Sequence, residues 1–247
     1  MPKNIPKNIK ANGVNHLALS TSNMKEQIAY FTDVLGMRLV ALYWMHGVDG
    51  CWHGFLELNE NSAVAFVFNP ANEQAKEELG QSHSGHPGGP SAPGTMQHLA
   101  LNVDSHEDLL NMRDRIRSRG INVMGPLNHG MCHSIYFQGP ENLTLEIATY
   151  GDTKYSIGAD DWIDPEVQKL AGISDEELQS FIKPLEYAGE GGAVPQPEYD
   201  PEGYHAAQPE EMLKAMYAMP DEMVTANLSE PRPPSVMSAE EREAKHA

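Results

Sequence analysis

"VNHLALSTSNMKEQIAYFTDVLGM", residues 14–37, decides the fold because a close variant returns as "MQHLALNVDSHEDLLNMRDRIRSRGI", residues 96–121. Each copy begins with an alternating run containing His-Leu-Ala-Leu, which is typical of a half-buried strand. A polar break and a helical pattern that ends at or just before glycine follow in both copies. The repeated order predicts a duplicated structural unit that keeps a histidine at the same point in each copy.

Three further apolar runs follow each predicted helix, and each run has the length and composition of a strand. They are "MRLVALYWM" (37–45), "CWHGFLEL" (51–58) and "SAVAFVF" (62–68), then "INVMGPL" (121–127), "HSIYFQG" (133–139) and "NLTLEIATY" (142–150). The chain therefore reads as βαβββ followed by βαβββ, an α+β fold. One such module leaves an exposed inner sheet face, so we expect the two modules to pair around one cavity.

The helical patterns predict which side chains face the core. The inward positions are Ile28, Phe31 and Leu35 in the first helix and Leu109, Met112 and Ile116 in the second. Ser22 or Asn23 is suited to cap the first helix and Ser105 the second, because these side chains accept hydrogen bonds from the first free N–H groups.

Composition divides the chain further. The expected parts are an N-terminal arm at 1–11, a paired-module domain at 12–150 with modules at 12–70 and 95–150 and a flexible linker at 71–94, and a tail at 151–247. The tail carries 21 acidic and 7 basic residues and 10 of the 18 prolines. We expect only short helices there, at "DPEVQKLAG", "SDEELQSFIKPL" and "PEEMLKAMYAM", in an arm that wraps the domain or a neighbouring subunit.

The formal charge of −18 argues against a nucleic-acid partner and against docking on anionic lipid, because both require a basic surface.

Two cysteines cannot make a disulfide framework, which favours a reducing compartment. The first residues lack an apolar targeting core, and no run is long enough to cross a membrane. We therefore expect a soluble, cytoplasmic protein.

Strand alternation indicates which side chains share a face with the ionisable residues. His16 shares its face with Ala18, His98 shares its face with Ala100, and Glu146 lies between Leu145 and Ile147, which point the other way. Large aliphatic residues on one face and small residues on the other leave room for a ligand. Two imidazoles and one carboxylate have the composition of the facial triad that leaves open positions on iron(II).

The segments "NHLALST", "QHLALNV" and "SIYFQGPENLTLEIATY" resemble the vicinal oxygen chelate superfamily over residues 12–150. This superfamily includes glyoxalase I, fosfomycin and bleomycin resistance proteins, methylmalonyl-CoA epimerase and the type I extradiol dioxygenases. The resemblance implies metal ligands on the first and last strand of each module. These positions are His16, Ala65, His98 and Glu146.

Alanine cannot bind a metal, so the set that remains is His16, His98 and Glu146. Extradiol dioxygenases use two histidines and one glutamate, and the resemblance therefore implies Fe(II), with Mn, Zn or Ni as alternatives. Glu57 and Glu60 lie just before the strand of Ala65, and a shift in its register could restore a fourth ligand.

Resemblance to the extradiol enzymes also implies that His129 and Tyr136 contact the substrate and its oxygens, with His133 as a rival for the histidine role. The acid–base histidine of the catechol-cleaving members has no counterpart at Asn61 and Ser62. His53, His83 or His86 could replace it in space.

The resulting expectation is a type I extradiol-like dioxygenase that uses Fe(II) and O₂ to cleave a catechol- or hydroquinone-like aromatic substrate. Two alternatives remain: a glyoxalase-like lyase, isomerase or epimerase that acts on a vicinal-oxygen substrate through an enediolate, and a binding protein of the bleomycin-resistance type. Superfamily members commonly pair subunits, so a homodimer is expected.

Overall fold

The computed structural model describes residues 8–243, without the side chain of residue 243, so residues 1–7 of the predicted arm and 244–247 of the predicted tail lie outside the described residues. The first repeat contains β1 (His16–Thr21), α1 (Met24–Asp33), β2 (Arg38–Trp44), β3 (Trp52–Asn59) and β4 (Ser62–Phe68). The second contains β5 (Leu99–Asn102), α2 (His106–Ser118), β6 (Met124–Asn128), β7 (His133–Gln138) and β8 (Thr144–Thr149). The α+β class and the two βαβββ modules are therefore confirmed.

Each module forms its own four-stranded sheet, in the order β1-β4-β3-β2 and β5-β8-β7-β6. The first and last strands of each module pair in parallel across the helix crossover, and the remaining pairs are antiparallel. This order brings the first strand of a module beside its last strand, so side chains 40 to 50 residues apart in sequence become neighbours.

The helix ends have the chemistry that the sequence predicts. Asn23 is the N-cap of α1 and accepts a hydrogen bond from the Glu26 amide at 3.2 Å. Ser105 caps α2 and accepts from the Asp108 amide at 3.0 Å. Gly36 follows α1 with φ +78°, a conformation that only glycine adopts without strain.

The apolar core lies between the helices and one face of each sheet. Phe31 of α1 is fully buried and meets the Phe66 ring edge-on, with the centroids 5.0 Å apart. Leu109 and Ile116 of α2 are also fully buried, while Ile28 and Met112 are partly buried against the same cluster. The opposite face of each sheet carries the candidate site residues, among them His16, Tyr136 and Glu146.

Polar contacts join the two modules. Glu141, in the β7–β8 turn, accepts hydrogen bonds from the Ser22 amide and hydroxyl and from the Gln27 side chain, each at 2.7 Å. The Tyr30 hydroxyl donates to the Gln138 carbonyl at 2.8 Å. The Arg115 guanidinium of α2 donates to the carbonyl oxygens that end α1.

Two compact units are distinguished by the density of their internal contacts. One comprises Val14–Met45 and Gly50–Val167 and contains both sheets. The other comprises residues 8–13, His46–Asp49 and the described part of Gln168–Ala247. Within the latter, the Ile9 amide donates to the Tyr187 carbonyl at 2.6 Å.

Helices shorter than nine residues follow the second module: α3 (Pro165–Leu170), α4 (Asp175–Ile182), α5 (Glu210–Tyr217), α6 (Asp221–Leu228) and α7 (Ala239–Glu243). The sequence patterns predict α3, α4 and α5, whereas α6 and α7 were not predicted. Two acidic residues occupy the first turn of α6, which favours a helix start there. Between residues 8 and 243, no helix has both the length and the apolar character needed to cross a membrane.

Candidate functional site

The open face of the second sheet brings three of the predicted site residues together. Strand register places Glu146 of β8 between Ala100 of β5 and Tyr136 of β7. His98 lies immediately before β5, and its Nε2 is 2.9 Å from Oε2 of Glu146. Glu146 is 5% exposed, so its carboxylate is held at the bottom of this face rather than in bulk solvent.

Tyr136 and His129 form a second pair beside the first. The Tyr136 hydroxyl lies 3.0 Å from Nε2 of His129, and the Tyr136 ring meets the His98 ring edge-on. Burial and the nearby Glu146 carboxylate raise the pKa of Tyr136, because both disfavour the phenolate. At neutral pH Tyr136 therefore keeps its proton and remains able to donate a hydrogen bond.

The equivalent position in the first sheet has no side chain that could bind a metal. Register places Ala65 of β4 between Ala18 of β1 and Phe55 of β3, which matches the Ala100, Glu146 and Tyr136 row of the second sheet. Ala65 is therefore the counterpart of Glu146.

The two carboxylates that a different register could bring into use do not replace Ala65. Glu57 pairs with Ala63 and forms an ion pair with Arg38 at 2.7 Å. Glu60 lies in the turn between β3 and β4. The observed register therefore leaves the first sheet without a carboxylate in the position of Glu146.

His16 lies on the open face of the first sheet among aromatic rings. Its ring meets Phe55 edge-on at 5.5 Å, since the small side chains of β4 between them leave the space free. His53 is on the same face, packed edge-on against Tyr43 at 4.3 Å. Burial and the nearby His16 lower the pKa of His53, and its Nε2 has no hydrogen-bond partner.

The other candidate histidines occupy different surroundings. His133 lies on the opposite face of β7 from Tyr136 and packs against His106 of α2, with the ring centroids 4.6 Å apart. Nδ1 of His83 lies 2.9 Å from the Ser82 hydroxyl. Nδ1 of His86 accepts from the Gly88 amide at 3.1 Å.

The single chain does not bring all three predicted metal ligands together. Across residues 8–243, no group of three His, Cys, Asp or Glu side chains is arranged to hold a metal ion. His98 and Glu146 are adjacent, whereas His16 is not grouped with them. The imidazole nitrogen and carboxylate oxygen of the adjacent pair fit a divalent transition metal, which prefers this mixture of donors.

Two features of the site were missed by the sequence reasoning. Carboxamide side chains precede both ligand histidines, Asn15 before His16 and Gln97 before His98, and each contacts the imidazole that follows it. The "NH" and "QH" pairs at matching points of the repeat were the signal. The docking of Glu141 onto the first module was also missed, and nothing in the local sequence marks it.

Two βαβββ modules with ionisable residues on their open faces define a vicinal oxygen chelate protein. A sequence model of the Glyoxalase/Bleomycin resistance protein/Dioxygenase superfamily matches residues 13–147, and the chain belongs to this superfamily. The resemblance inferred from the repeated histidine segments is thereby confirmed.

Comparison with individual proteins finds similarity to two dioxygenases of Rhodococcus globerulus. Biphenyl-2,3-diol 1,2-dioxygenase 2 is 30% identical over 132 residues, and biphenyl-2,3-diol 1,2-dioxygenase 3 is 23% identical over the same length. Each match covers 53% of this chain and 60% of the relative, so the chain spans less than two thirds of the curated relatives it matches.

A solved structure with similarity to this chain is a glyoxylase/bleomycin resistance protein/dioxygenase domain from Frankia sp. EAN1pec. Its TM-score is 0.46 at 15% identity, with coverage of 59% of this chain and 96% of that domain.

Proposed function

We propose that the protein is a type I extradiol-like dioxygenase that uses Fe(II) and O₂ to cleave a catechol- or hydroquinone-like aromatic substrate. The observation that carries the proposal is the convergence of the His98–Glu146 pair and the Tyr136–His129 pair on one sheet face. The similarity to two biphenyl-2,3-diol dioxygenases agrees with this chemistry.

The proposed metal site uses His16, His98 and Glu146. These three side chains would hold iron(II), which would supply the redox chemistry that links oxidation of the aromatic substrate to reduction of O₂. Glu146 is buried and has one imidazole beside it, so a divalent cation would compensate a carboxylate that water does not solvate. Ala65 leaves the first module without a carboxylate in the position of Glu146, which weighs against enediolate isomerisation.

Tyr136 and His129 act on the substrate oxygens in this proposal. Tyr136 donates its hydroxyl proton as a hydrogen bond to a substrate oxygen, since its raised pKa keeps that proton in place. Nε2 of His129 lies beside the Tyr136 hydroxyl, where it can pass a proton to or from that hydroxyl or a substrate oxygen. Phe55, His53 and Tyr43 form an aromatic wall on the other sheet, suited to an aromatic ring.

The test is anaerobic purification followed by metal analysis and oxygen uptake with a panel of catechols and hydroquinones. We expect bound iron, or oxygen uptake after loading with iron(II). His98→Ala is expected to abolish both, whereas His133→Ala is the matched control because His133 lies on the opposite face. Stoichiometric zinc or nickel, with no oxygen uptake after iron loading, would exclude the dioxygenase.

We further propose that the metal site is completed in a homodimer, with His16 of one copy joining His98 and Glu146 of the other. The support is that His16 is not grouped with them within residues 8–243 of one chain. Mixing His16→Ala with Glu146→Ala protomers then produces heterodimers with one intact site, and about a quarter of wild-type metal binding returns. No recovery after subunit exchange would place all three ligands on one chain.

A further inference from the structure

Each of the proposed ligand histidines is preceded by a carboxamide residue that contacts its ring. Nδ1 of His16 lies 2.8 Å from Oδ1 of Asn15, and Nδ1 of His98 is hydrogen-bonded to Oε1 of Gln97. A carboxamide oxygen only accepts hydrogen bonds. With the carboxamide oxygens facing the rings, each Nδ1 carries a hydrogen, and Nε2 is the ring nitrogen that remains for a metal ion.

The orientation of the Gln97 amide is determined by its surroundings. Its Nε2 donates to the carbonyl oxygens of Pro87 at 2.6 Å and of His86 at 3.2 Å. A flipped amide would place its oxygen against these carbonyls and lose both bonds. Oε1 is thus directed at His98, and the assignment of its Nδ1 as the donor follows.

Residues of the predicted flexible linker take part in this arrangement. The carbonyls that hold Gln97 belong to linker residues, and the buried Ser84 hydroxyl donates to the Gln97 backbone carbonyl at 2.6 Å. The linker therefore supports the side chain that orients His98, in addition to joining the two modules.

We propose that Asn15 and Gln97 are positioning residues that keep Nδ1 of His16 and His98 protonated and present Nε2 to the metal. For His98 the presented atom is the one that lies 2.9 Å from Oε2 of Glu146. Because a carboxylate oxygen only accepts hydrogen bonds, a proton joins these two atoms in the metal-free protein, and a bound metal ion would take its place. The same carboxamide–imidazole contact occurs at matching points of the two repeats, which indicates that it was duplicated with the module. The inference deepens the proposed function and rests on its metal site, although the protonation of Nδ1 can be read without any metal.

The first experiment is ¹⁵N NMR of the imidazoles in the metal-free full-length protein, at a pH where free imidazole is neutral. We expect both His16 and His98 to carry a proton on Nδ1. Asn15→Leu should shift His16 toward the form protonated on Nε2, and Gln97→Leu should do the same for His98. Asn15→Asp and Gln97→Glu retain an acceptor oxygen and should keep the wild-type signal.

Ser84→Ala is the control for a purely structural effect, because it loosens the linker without removing the acceptor of His98. It should leave Nδ1 of His98 protonated. An unprotonated Nδ1 on either His16 or His98 in the wild-type protein would overturn the inference. Unchanged Nδ1 signals in both leucine variants would overturn it as well.

Zinc affinity, measured by chelator competition, is the second readout. Asn15→Leu and Gln97→Leu are expected to weaken zinc binding about 10-fold or more, as is usual when the partner of a ligand histidine is removed. The aspartate and glutamate variants should bind at least as well as wild type. A wild type that binds no metal but has the expected Nδ1 protons would reject the metal site and uphold the protonation assignment.

Discussion

At the residue scale, Ala65 and Glu146 occupy equivalent positions in the two sheets, and this one difference gives the two modules different chemistry. Both lie in the same register, between an alanine of the first strand and an aromatic residue of the third. Glutamate supplies a buried carboxylate, whereas alanine supplies only space, and the His16 ring crosses that space to reach Phe55. The duplication therefore yields one sheet face with a buried carboxylate at its centre and one with an open space bordered by aromatic rings.

The titration of Tyr136 provides a prediction at this scale. Burial and Glu146 both raise the pKa of Tyr136 above the ordinary value of 10.0, so the hydroxyl stays protonated throughout the neutral and mildly alkaline range. Glu146→Gln removes the charge and should lower this pKa, while burial keeps it above the ordinary value. The measurement is an absorbance titration of tyrosinate, with Tyr136→Phe identifying the signal.

The sign of the associated stability change follows from linkage. A tyrosine whose pKa is higher in the folded state contributes stability that is complete below the unfolded pKa of about 10 and is lost above it. Wild type should lose stability more steeply than Tyr136→Phe above pH 10. If the free energy of unfolding of the two proteins depends on pH with the same slope above pH 10, the pKa of Tyr136 is not raised in the folded state.

At the element scale, the β7–β8 turn holds the second module against the first. Glu141 adopts a φ of 52° in this turn and receives three hydrogen bonds from the β1–α1 junction. Gln27, one of its donors, is fully buried. Removal of Glu141 therefore leaves a buried amide N–H without its acceptor, and such a loss is costly.

We predict that Glu141→Ala lowers the free energy of unfolding by about 3 kcal/mol at pH 7, since bonds to a charged acceptor are among the stronger ones. Urea denaturation at pH 7 measures it. Glu26→Ala is a control on an exposed carboxylate of α1. A loss no larger than that of Glu26→Ala would contradict the docking role of Glu141.

The contribution of Glu141 should also depend on pH. Burial alone would raise the pKa of Glu141, but hydrogen bonds from Ser22, Thr21 and Gln27 outweigh it and hold this pKa below the usual 4.5. The stabilisation is therefore present above pH 4.5 and lost as the pH falls through the lower folded pKa. The difference in unfolding free energy between wild type and Glu141→Gln should shrink steadily in that acid range.

The loop before β7 provides another prediction at the element scale. Gly130 follows His129 with φ +85°, and a Cβ at this position would lie 2.7 Å from the Trp162 ring. Gly130→Ala should destabilise the protein by more than about 1 kcal/mol, because the left-handed backbone strain is joined by displacement of the ring. Denaturation and the Trp162 fluorescence are the measurements.

Gly120→Ala is the matched control, since Gly120 has φ +79° and no heavy atom within 4 Å of an added Cβ. It reports the backbone strain alone. If Gly130→Ala costs no more than Gly120→Ala and the fluorescence is unchanged, Trp162 does not pack against this loop.

At the scale of the whole molecule, the apolar core and the candidate site both lie in the unit formed by Val14–Met45 and Gly50–Val167. In the described part of the other unit, Leu213 is the buried hydrophobic residue, while Leu185 and Tyr204 are almost fully exposed. Stability is expected to come from the first unit, because buried apolar area dominates folding.

Truncation after Val167 tests this expectation. The shortened protein should unfold cooperatively, with a midpoint temperature within about 5 °C of the full chain. Differential scanning calorimetry measures the midpoint. Loss of the cooperative transition would show that the removed segment contributes to the core or completes an assembly on which the fold depends.

The amino-acid pattern alone was sufficient for the α+β class, the two βαβββ modules and the inward residues of both helices. These depend on periodicity, and period-2 strands and 3.6-residue helices are readable along the chain. Phe31, Leu109 and Ile116 are buried as their spacing predicts. The division into an arm, two modules, a linker and a tail is a further sequence prediction, drawn from composition.

Only the tertiary structure decided which chemical groups meet. Pairing of β5 with β8 places His98 beside Glu146, and the linker carbonyls orient Gln97. His16, whose sequence context is nearly the same as that of His98, is not grouped with them in the described chain. The local sequence specifies the backbone geometry and the sheet or helix face on which each side chain lies. The distance between two side chains depends instead on how sheets and loops pack, and residues far apart in sequence determine that packing together.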